Sequence, residues 1–148
     1  MDVKWKIKRF EALSVFELYN IMQLRSEVFV VEQNCVYQDV DGKDEKALHL
    51  IAEDQGITVA YCRLFKPNEY FTEASIGRVI VKASHRDQKL GHILMKEAIE
   101  VVKVEFNETK ITISAQLYLK KFYESHGFIQ TSETYLEDDI PHIEMKRS

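Results

Sequence analysis

Apolar and polar residues alternate along this chain with two periods, one typical of strands and one typical of helices. A two-residue period predicts strands at the N-terminus, where Trp5 and Ile7 share a face, and again at 110–116. A period near 3.6 residues predicts an amphipathic helix from 90 to about 104. The apolar stripe of this helix consists of Leu90, Ile93, Leu94, Ala98, Val101 and Val102.

Capping residues predict the ends of two further helices. Ser14 and Glu17 form an S-x-x-E capping box, which predicts a helix over about 15–25 followed by a further short turn. Gly127 suits the position just after the last turn of a short helix at 117–126, because glycine adopts the left-handed conformation that ends many helices.

The remaining apolar runs predict strands, and their order predicts the fold. Two of these runs flank the turn residues 54–56 and predict a hairpin. The order of elements is strand, helix, three strands, helix, strand, helix and two strands. This order predicts an α/β fold in which a single mixed, mostly antiparallel central sheet is flanked by helices, with 1–148 forming one domain. The predicted strands lie at 49–53, 57–65, 76–81, 128–134 and 140–145, with an acidic stretch joining the last two.

Composition and charge exclude several classes of function. The formal net charge of the 148 residues is −4 and no face has a basic patch, so nucleic acid is not an expected partner. The longest apolar runs are far too short to span a bilayer, and the N-terminus lacks the apolar region of a signal peptide. Cys35 and Cys62 have no metal-ligand spacing, so we expect no metal site and two reduced thiols in a cytoplasmic protein.

The segment 76–95 has the pattern of an anion-binding site. A strand at 76–81 ends in a polar loop, Arg86 to Gly91, that leads directly into the helix at 90. Backbone N–H groups converge in such a turn, and the helix dipole adds partial positive charge. The pattern therefore predicts a ligand that carries phosphate.

Together with the run AQLYLKKFYESHGF at 115–128, this segment resembles the GNAT-type N-acetyltransferases. In that family an R/Q-x-x-G-x-G/A loop holds the pyrophosphate of acetyl-coenzyme A, and a later helix carries Y-x-x-x-G-F, matched here by Tyr123, Gly127 and Phe128. The resemblance is closest to the ElaA-like branch. It implies the acyl-CoA N-acyltransferase fold, and transfer of an acetyl group to a small amine, polyamine or peptide amine by direct attack in a ternary complex. The ElaA-like segments lie at 24–42, 76–81 and 137–145.

The resemblance also implies how the co-substrate is held. The pyrophosphate is expected on the N–H groups of 88–92 beside Arg86, and the pantetheine arm is expected to pair with the strand at 79–81. Gln116 lies where many relatives carry a polar side chain that touches the cofactor. The implied acetyl-coenzyme A contacts are Val79, Ile80, Val81, Arg86, Gln88, Lys89, Leu90, Gly91, His92 and Gln116.

The loop departs from the family pattern at two positions. Lys89 and His92 stand where small residues are usual, so we expect the shape of the loop to depend largely on Gly91. Lys89 can offer its backbone N–H if its φ is negative. Its ammonium group either contacts a phosphate or points to solvent.

The implied chemistry needs a proton donor and a proton acceptor. Tyr123 matches the family tyrosine that protonates the thiolate leaving group, although it is also consistent with a packed aromatic residue. Neutralising an alkylamine of pKa near 10.4 at pH 7 costs roughly 4.6 kcal/mol, which predicts a base. The candidate bases are Glu32, His49 and His142, and a main-chain N–H of the strand at 76–81 is the candidate oxyanion donor.

Other features leave alternatives open. Acidic clusters at 39–45 and 137–139 either attract a cationic acceptor or form solvated loops. Arg78 either pairs with an acidic group that orders the acceptor pocket or faces solvent. The alternatives to an enzyme are a non-catalytic acyl-coenzyme A-binding regulatory module and an interaction protein without a ligand. Homodimers are common among relatives, and the sequence leaves the oligomeric state open.

Overall fold

Eight strands form two antiparallel sheets in a computed structural model that describes residues 2–148, apart from the side chain of Gln88. The first sheet has the order β1-β2-β3-β4, and the second has the order β5-β8-β6 with β7 also paired to β8. The strands are β1 Lys4–Arg9, β2 Leu48–Asp54, β3 Ile57–Phe65, β4 Ser75–Val81, β5 Ile111–Gln116, β6 Ile129–Gln130, β7 Tyr135–Glu137 and β8 Ile140–Arg147.

The two sheets meet at one end of β4 and then separate. Ala74 and Ile111 form a parallel bridge, beside which the Thr112 N–H donates to the Ala74 carbonyl at 2.9 Å. Past this bridge no ladder joins β4 to β5 in the described part of the chain, so the edge of β4 is open from 76 to 81. The predicted α/β fold is confirmed, with its sheet divided in two by this opening.

Three α-helices pack on these sheets: α1 Val15–Arg25, α2 Leu90–Phe106 and α3 Lys120–Glu124. The predicted capping box is present, since the Glu17 N–H donates to Ser14 Oγ at 3.0 Å and the Ser14 N–H donates to Glu17 Oε1 at 2.9 Å. The short turn predicted after α1 is a full π-helix, Ser26–Glu32. None of the helices in residues 2–148 is both long and apolar enough to cross a membrane.

Apolar residues fill both faces of the first sheet. On one face α2 packs with β5 and β8 in the main core, around Leu94 and Met95. On the other face α1 and the π-helix pack on Tyr61 and Ile80. Because β3 is covered on both sides, its residues are buried from Thr58 to Phe65.

The last part of the chain differs from the predicted pair of strands. The strand predicted at 128–134 is reduced to Ile129–Gln130, and an additional strand, β7, forms a tight hairpin with β8. Asp138 and Asp139 form the two-residue turn, with φ values of 51° and 63°. Type I′ hairpin turns need positive φ at both positions. The turn lacks the glycine that usually signals it, which is why the sequence did not reveal this hairpin.

Buried ion pairs anchor the loop at 34–47 to the body of the protein. Arg25 is fully buried, with Nε 2.8 Å from Asp39 Oδ2 and Nη1 2.6 Å from Asp44 Oδ1. Arg63 is 1% exposed, and its Nη1 lies 2.9 Å from the same Asp44 oxygen. Two guanidinium groups therefore share one carboxylate, and they hold the pKa of Asp44 below its usual value despite its burial.

The same network reaches the edge of the first sheet. Arg63 also binds Asp41, and Arg78 Nε lies 2.8 Å from Asp39 Oδ1. Arg78 therefore has the acidic partner that was one of its two predicted alternatives. For the acidic cluster at 39–45, neither predicted alternative holds at Asp39, Asp41 and Asp44, because their carboxylates pair with arginines of this chain.

Replacing Asp44 by asparagine should strongly destabilise the protein, because Arg25 and Arg63 lose the carboxylate that they share. Removing one partner of a buried ion pair costs about 3–5 kcal/mol. Urea denaturation should show a loss of that order in the free energy of unfolding. The control, Glu45→Gln at an exposed neighbouring position, should change it by less than about 0.5 kcal/mol. Similar small effects of both substitutions would contradict this role of Asp44.

Candidate active site

A cleft of about 520 Å³ lies where β4 and β5 separate, between the π-helix, the start of α2 and the β7–β8 hairpin. Most of the residues predicted from the sequence are brought together here. The predicted residues that line the cleft are Glu32, Val79, Ile80, Val81, Arg86, Lys89, Gly91, His92, Gln116, Tyr123 and His142. The side chain of Gln88, also predicted to hold the cofactor, lies outside the described residues.

Two of the predicted residues lie elsewhere. The Leu90 side chain is fully buried in the main core, so this residue can offer a ligand only its backbone. His49 is fully buried beneath the 34–47 loop, where its ring nitrogens lie 2.6 Å from the Tyr61 hydroxyl and 2.9 Å from the Asp44 carbonyl. Burial lowers the pKa of His49. Because it does not line the cleft, His49 is removed from the candidate bases.

A β-bulge interrupts β4 beside the cleft. Gly77 pairs with Arg63 and Ile80 pairs with Tyr61, so Arg78 and Val79 together lie opposite Cys62. Arg78 has a φ of 50°, which is unusual for a residue other than glycine. A bulge leaves main-chain groups outside the ladder, where they can bind a ligand. The sequence signal for this feature was Gly77, since glycine inside an apolar strand often marks a bulge.

The first turn of α2 offers main-chain donors to the cleft. The His92 N–H already donates to the Lys89 carbonyl at 3.1 Å, so this donor is engaged within the helix, and its contact with pyrophosphate stays a prediction. The N–H groups of Leu90 and Gly91 precede the intrahelical bonds, and no side chain caps this helix in the described structure. The free donors are therefore fewer than the sequence suggested.

The conformation of this loop depends on Lys89 rather than on Gly91. Lys89 has a φ of 57°, in the left-handed region, so the condition stated for its backbone N–H, a negative φ, is not met. Gly91 is helical, and a Cβ added to it would lie 3.7 Å from the nearest atom, in the Phe122 ring. This is an ordinary van der Waals distance, so the loop itself does not require glycine at 91.

Arg86 has its guanidinium group at the cleft wall. Its Nε donates to the Val81 carbonyl at 3.0 Å, and its Nη1 lies 2.6 Å from Glu32 Oε2. Two predicted functional residues, one for the cofactor and one for the base, are thus paired with each other.

Tyr123 lies at the base of the cleft on α3. It is 6% exposed and packs edge-on against Phe122 and Phe128. Burial, with smaller effects of Cys62 and Tyr118, raises the pKa of its hydroxyl, so the group stays protonated near neutral pH. Both predicted descriptions of Tyr123 are compatible with this position, since it is packed and also lines the cleft.

His142 lies on the opposite wall of the cleft, on β8. Its Nδ1 is 2.7 Å from the Ile140 carbonyl, which favours a proton on Nδ1 and leaves the lone pair on Nε2. Glu137 Oε2 lies 3.4 Å from Nε2, and the Ser114 hydroxyl donates to the other Glu137 oxygen at 3.3 Å. Sequence reasoning found His142 and the acidic stretch separately, but it missed Ser114 and the hairpin that brings these groups together.

Comparison with known proteins identifies the fold and the family. Residues 16–148 match the family described as "Acetyltransferase (GNAT) domain". The chain is 41% identical to the protein ElaA of Escherichia coli over 147 residues, which cover 98% of this chain and 96% of ElaA. This chain belongs to the GNAT acetyltransferase family. The resemblance to the ElaA-like branch is thereby confirmed.

Solved structures agree with this membership. The GNAT domain superimposes on an acyl-CoA N-acyltransferase from Pseudomonas aeruginosa with a TM-score of 0.94 and 43% identity, covering 99% of this chain and all of that chain. The crystal structure of Escherichia coli ElaA gives a TM-score of 0.89 at 41% identity, covering 98% and 99% of the two chains. The fold is therefore one that binds an acyl-coenzyme A and an acceptor.

Replacing Lys89 by glycine should stabilise this GNAT domain, because a residue with a side chain pays roughly 1–2 kcal/mol to adopt the left-handed conformation and glycine does not. Thermal or urea denaturation should show a gain of about 1 kcal/mol, reduced by the greater freedom of glycine in the unfolded chain. The matched variant Gly91→Ala should not lower the stability. Two results would contradict this and restore Gly91 as the residue that shapes the loop. One is a loss of stability in Gly91→Ala, and the other is the absence of a gain in stability in Lys89→Gly.

Proposed function

We propose that this protein transfers an acetyl group from acetyl-coenzyme A to a primary amine by direct attack while both substrates are bound. The observation that carries the proposal is the open, bulged edge of β4 leading to the uncapped N-terminus of α2, with Tyr123 beside it. Family membership supports acyl transfer, and the site geometry supports the assignment of roles to individual residues.

The residues around β4 fit a coenzyme A thioester. The open edge at Val79–Val81 can pair with the amide groups of a pantetheine arm as an added strand would. At its end, the Leu90 and Gly91 N–H groups and the Arg86 guanidinium suit a pyrophosphate. Gly91 has no side chain to keep an anion away from the helix end. Gln116 lies on the far side of the cleft, at the end of β5.

The bulge supplies the means to stabilise the oxyanion. When an amine attacks the thioester carbonyl, negative charge develops on its oxygen and is stabilised by a pre-positioned donor. At Arg78–Val79 the main chain leaves the ladder, so we assign this role to a main-chain N–H of the bulge. The contact of Arg78 with Asp39 holds the bulge in its unusual conformation.

Tyr123 and His142 carry the proton transfers in this proposal. Tyr123 gives its proton to the departing thiolate, because its hydroxyl is protonated at neutral pH and the residue lines the cleft. His142 accepts the amine proton at Nε2, because its Nδ1 is committed to the Ile140 carbonyl. Glu137 is placed to stabilise the positive charge that His142 then carries.

The acceptor side of the cleft suits a cation. Glu137 and Asp138 line it beside His142, whereas the carboxylates at 39, 41 and 44 are paired internally. An ammonium group is therefore attracted to the base that deprotonates it. Because Cys35 and Cys62 are both free thiols, we place the reaction in the reducing environment of the cytoplasm.

Tyr123→Phe should lower turnover about 100-fold, the lower end of the range for a general acid, while coenzyme A affinity stays within about two-fold of the wild type. Turnover is measured as release of free thiol over a panel of primary amines that includes polyamines and peptide amines. Affinity is measured by calorimetry. Because only the hydroxyl is lost, the packing against Phe122 and Phe128 should be kept.

Three other outcomes would contradict the proposal, each in a distinct way. Unchanged turnover in the variant would remove Tyr123 as the acid. A wild type that binds coenzyme A but transfers to no amine of the panel would instead support a non-catalytic binding module. No binding heat at millimolar coenzyme A would exclude both functions.

His142→Gln should lower turnover about 100-fold near pH 7, since no group then takes the amine proton. The deficit should shrink as the pH rises towards about 10.4, where a free alkylamine deprotonates without help. The measurement is turnover of both proteins across pH 7 to 10 with one amine of the panel. A deficit that is equal at every pH would show that His142 supports the structure rather than the proton transfer.

A further inference from the structure

The π-helix and the residue that follows it cross the cleft as a strap, defined here as residues 26–33. Val28 and Phe29 bury its underside against the first sheet. Polar side chains of the strap reach the coenzyme side at two places, from Glu32 to Arg86 and from Gln33 to Gln116. All four of these residues line the cleft.

The contact between Glu32 and Arg86 has the geometry of a bidentate ion pair. Nη1 lies 2.6 Å from Glu32 Oε2, and Nη2 donates to Oε1 at 2.9 Å. Since Nε donates to the Val81 carbonyl, the guanidinium presents to Glu32 the paired donors with which arginine binds phosphate. A pyrophosphate at the start of α2 and the Glu32 carboxylate are therefore competing anions for one cation.

The second contact involves Gln116, another polar side chain that the family resemblance assigns to the coenzyme. Gln33 and Gln116 donate to each other, with N–O distances of 3.2 Å and 3.3 Å. Each side-chain amide uses one N–H and its carbonyl oxygen in this pair. Those groups are therefore not free to bind a pantetheine arm until the pair opens. Two adjacent strap residues thus occupy Arg86 and Gln116, two of the polar side chains that the family resemblance assigns to the coenzyme.

We propose that the strap is a latch, in which Glu32 occupies Arg86 until coenzyme A displaces it and then serves the acceptor. The displaced carboxylate is left without its cation in a cleft that already contains Glu137 and Asp138. The ammonium group of an amine acceptor neutralises it. Glu32 is therefore a specificity-determining residue that becomes available to the acceptor amine when the coenzyme binds. This inference rests on the proposed function.

The test compares Glu32→Gln with Glu27→Gln. Glu27 lies in the same strap and pairs with Lys82 at 3.0 Å, but neither residue lines the cleft. Coenzyme A should bind Glu32→Gln about three- to five-fold more tightly than the wild type in low salt. The reason is that pyrophosphate no longer has to break the exposed Glu32–Arg86 ion pair before it binds Arg86. The gain should vanish near 1 M salt, where the pair is screened. Glu27→Gln should bind coenzyme A as the wild type does.

The kinetic readout separates the second half of the proposal. The assay uses one amine of the panel and saturating acetyl-coenzyme A. Glu32→Gln should raise the acceptor KM several-fold and leave kcat within about two-fold, because the lost contact with the ammonium group binds the ground state and the transition state equally. A large fall in kcat at unchanged KM would overturn this role.

Three binding results would overturn the latch. Weaker binding by Glu32→Gln would mean that Glu32 positions Arg86 for the phosphate, unchanged binding would mean that no competition exists, and equal gains in both variants would mean general loosening of the strap. Absence of any coenzyme binding by the wild type would refute the proposed function instead, so the two failures are distinguishable.

Discussion

The shared carboxylate of Asp44 is the interaction on which the acceptor half of this protein depends. It joins Arg25 at the end of α1 to Arg63 on β3, and through Asp39 the network continues to Arg78 at the bulge of β4. Buried ion pairs add little net stability, because desolvation offsets most of their attraction. Their contribution here is geometric: a long loop without regular pairing is fixed against a helix, a strand and the strained residue beside the cleft.

The open edge of β4 has a physical cause in the same region. A strand edge with free N–H and C=O groups normally invites pairing with another chain. In the described residues the two sheets meet at the Ala74–Ile111 bridge without a β4–β5 ladder beyond it, and the bulge at Arg78–Val79 breaks the regular ladder of β4 with β3. The strap covers the opening from one side. The same arrangement leaves the edge accessible to an extended, amide-bearing ligand.

Local signals predicted most of this fold, whereas contacts between distant residues determined the rest. The capping box fixed the start of α1, and the 3.6-residue period fixed α2, because both depend on neighbours within one turn. The pairing of Arg78 with Asp39 joins residues 39 positions apart, and no local pattern indicates it. At Lys89 no local signal indicates the left-handed conformation, because the position lacks the glycine that favours it.

Two residues with positive φ, Arg78 in the bulge of β4 and Lys89 before α2, line the cleft. Glycine would adopt both conformations without strain, yet each position carries a long basic side chain. At Arg78 the side chain offsets that strain, since the guanidinium binds Asp39 and lies 5.9 Å from the centre of the Phe29 ring. The Arg78 side chain therefore links the bulge to the acidic loop through Asp39 and to the strap through Phe29. The strain at the bulge persists because the acidic loop and the strap both hold residue 78, as expected where backbone geometry serves a binding site.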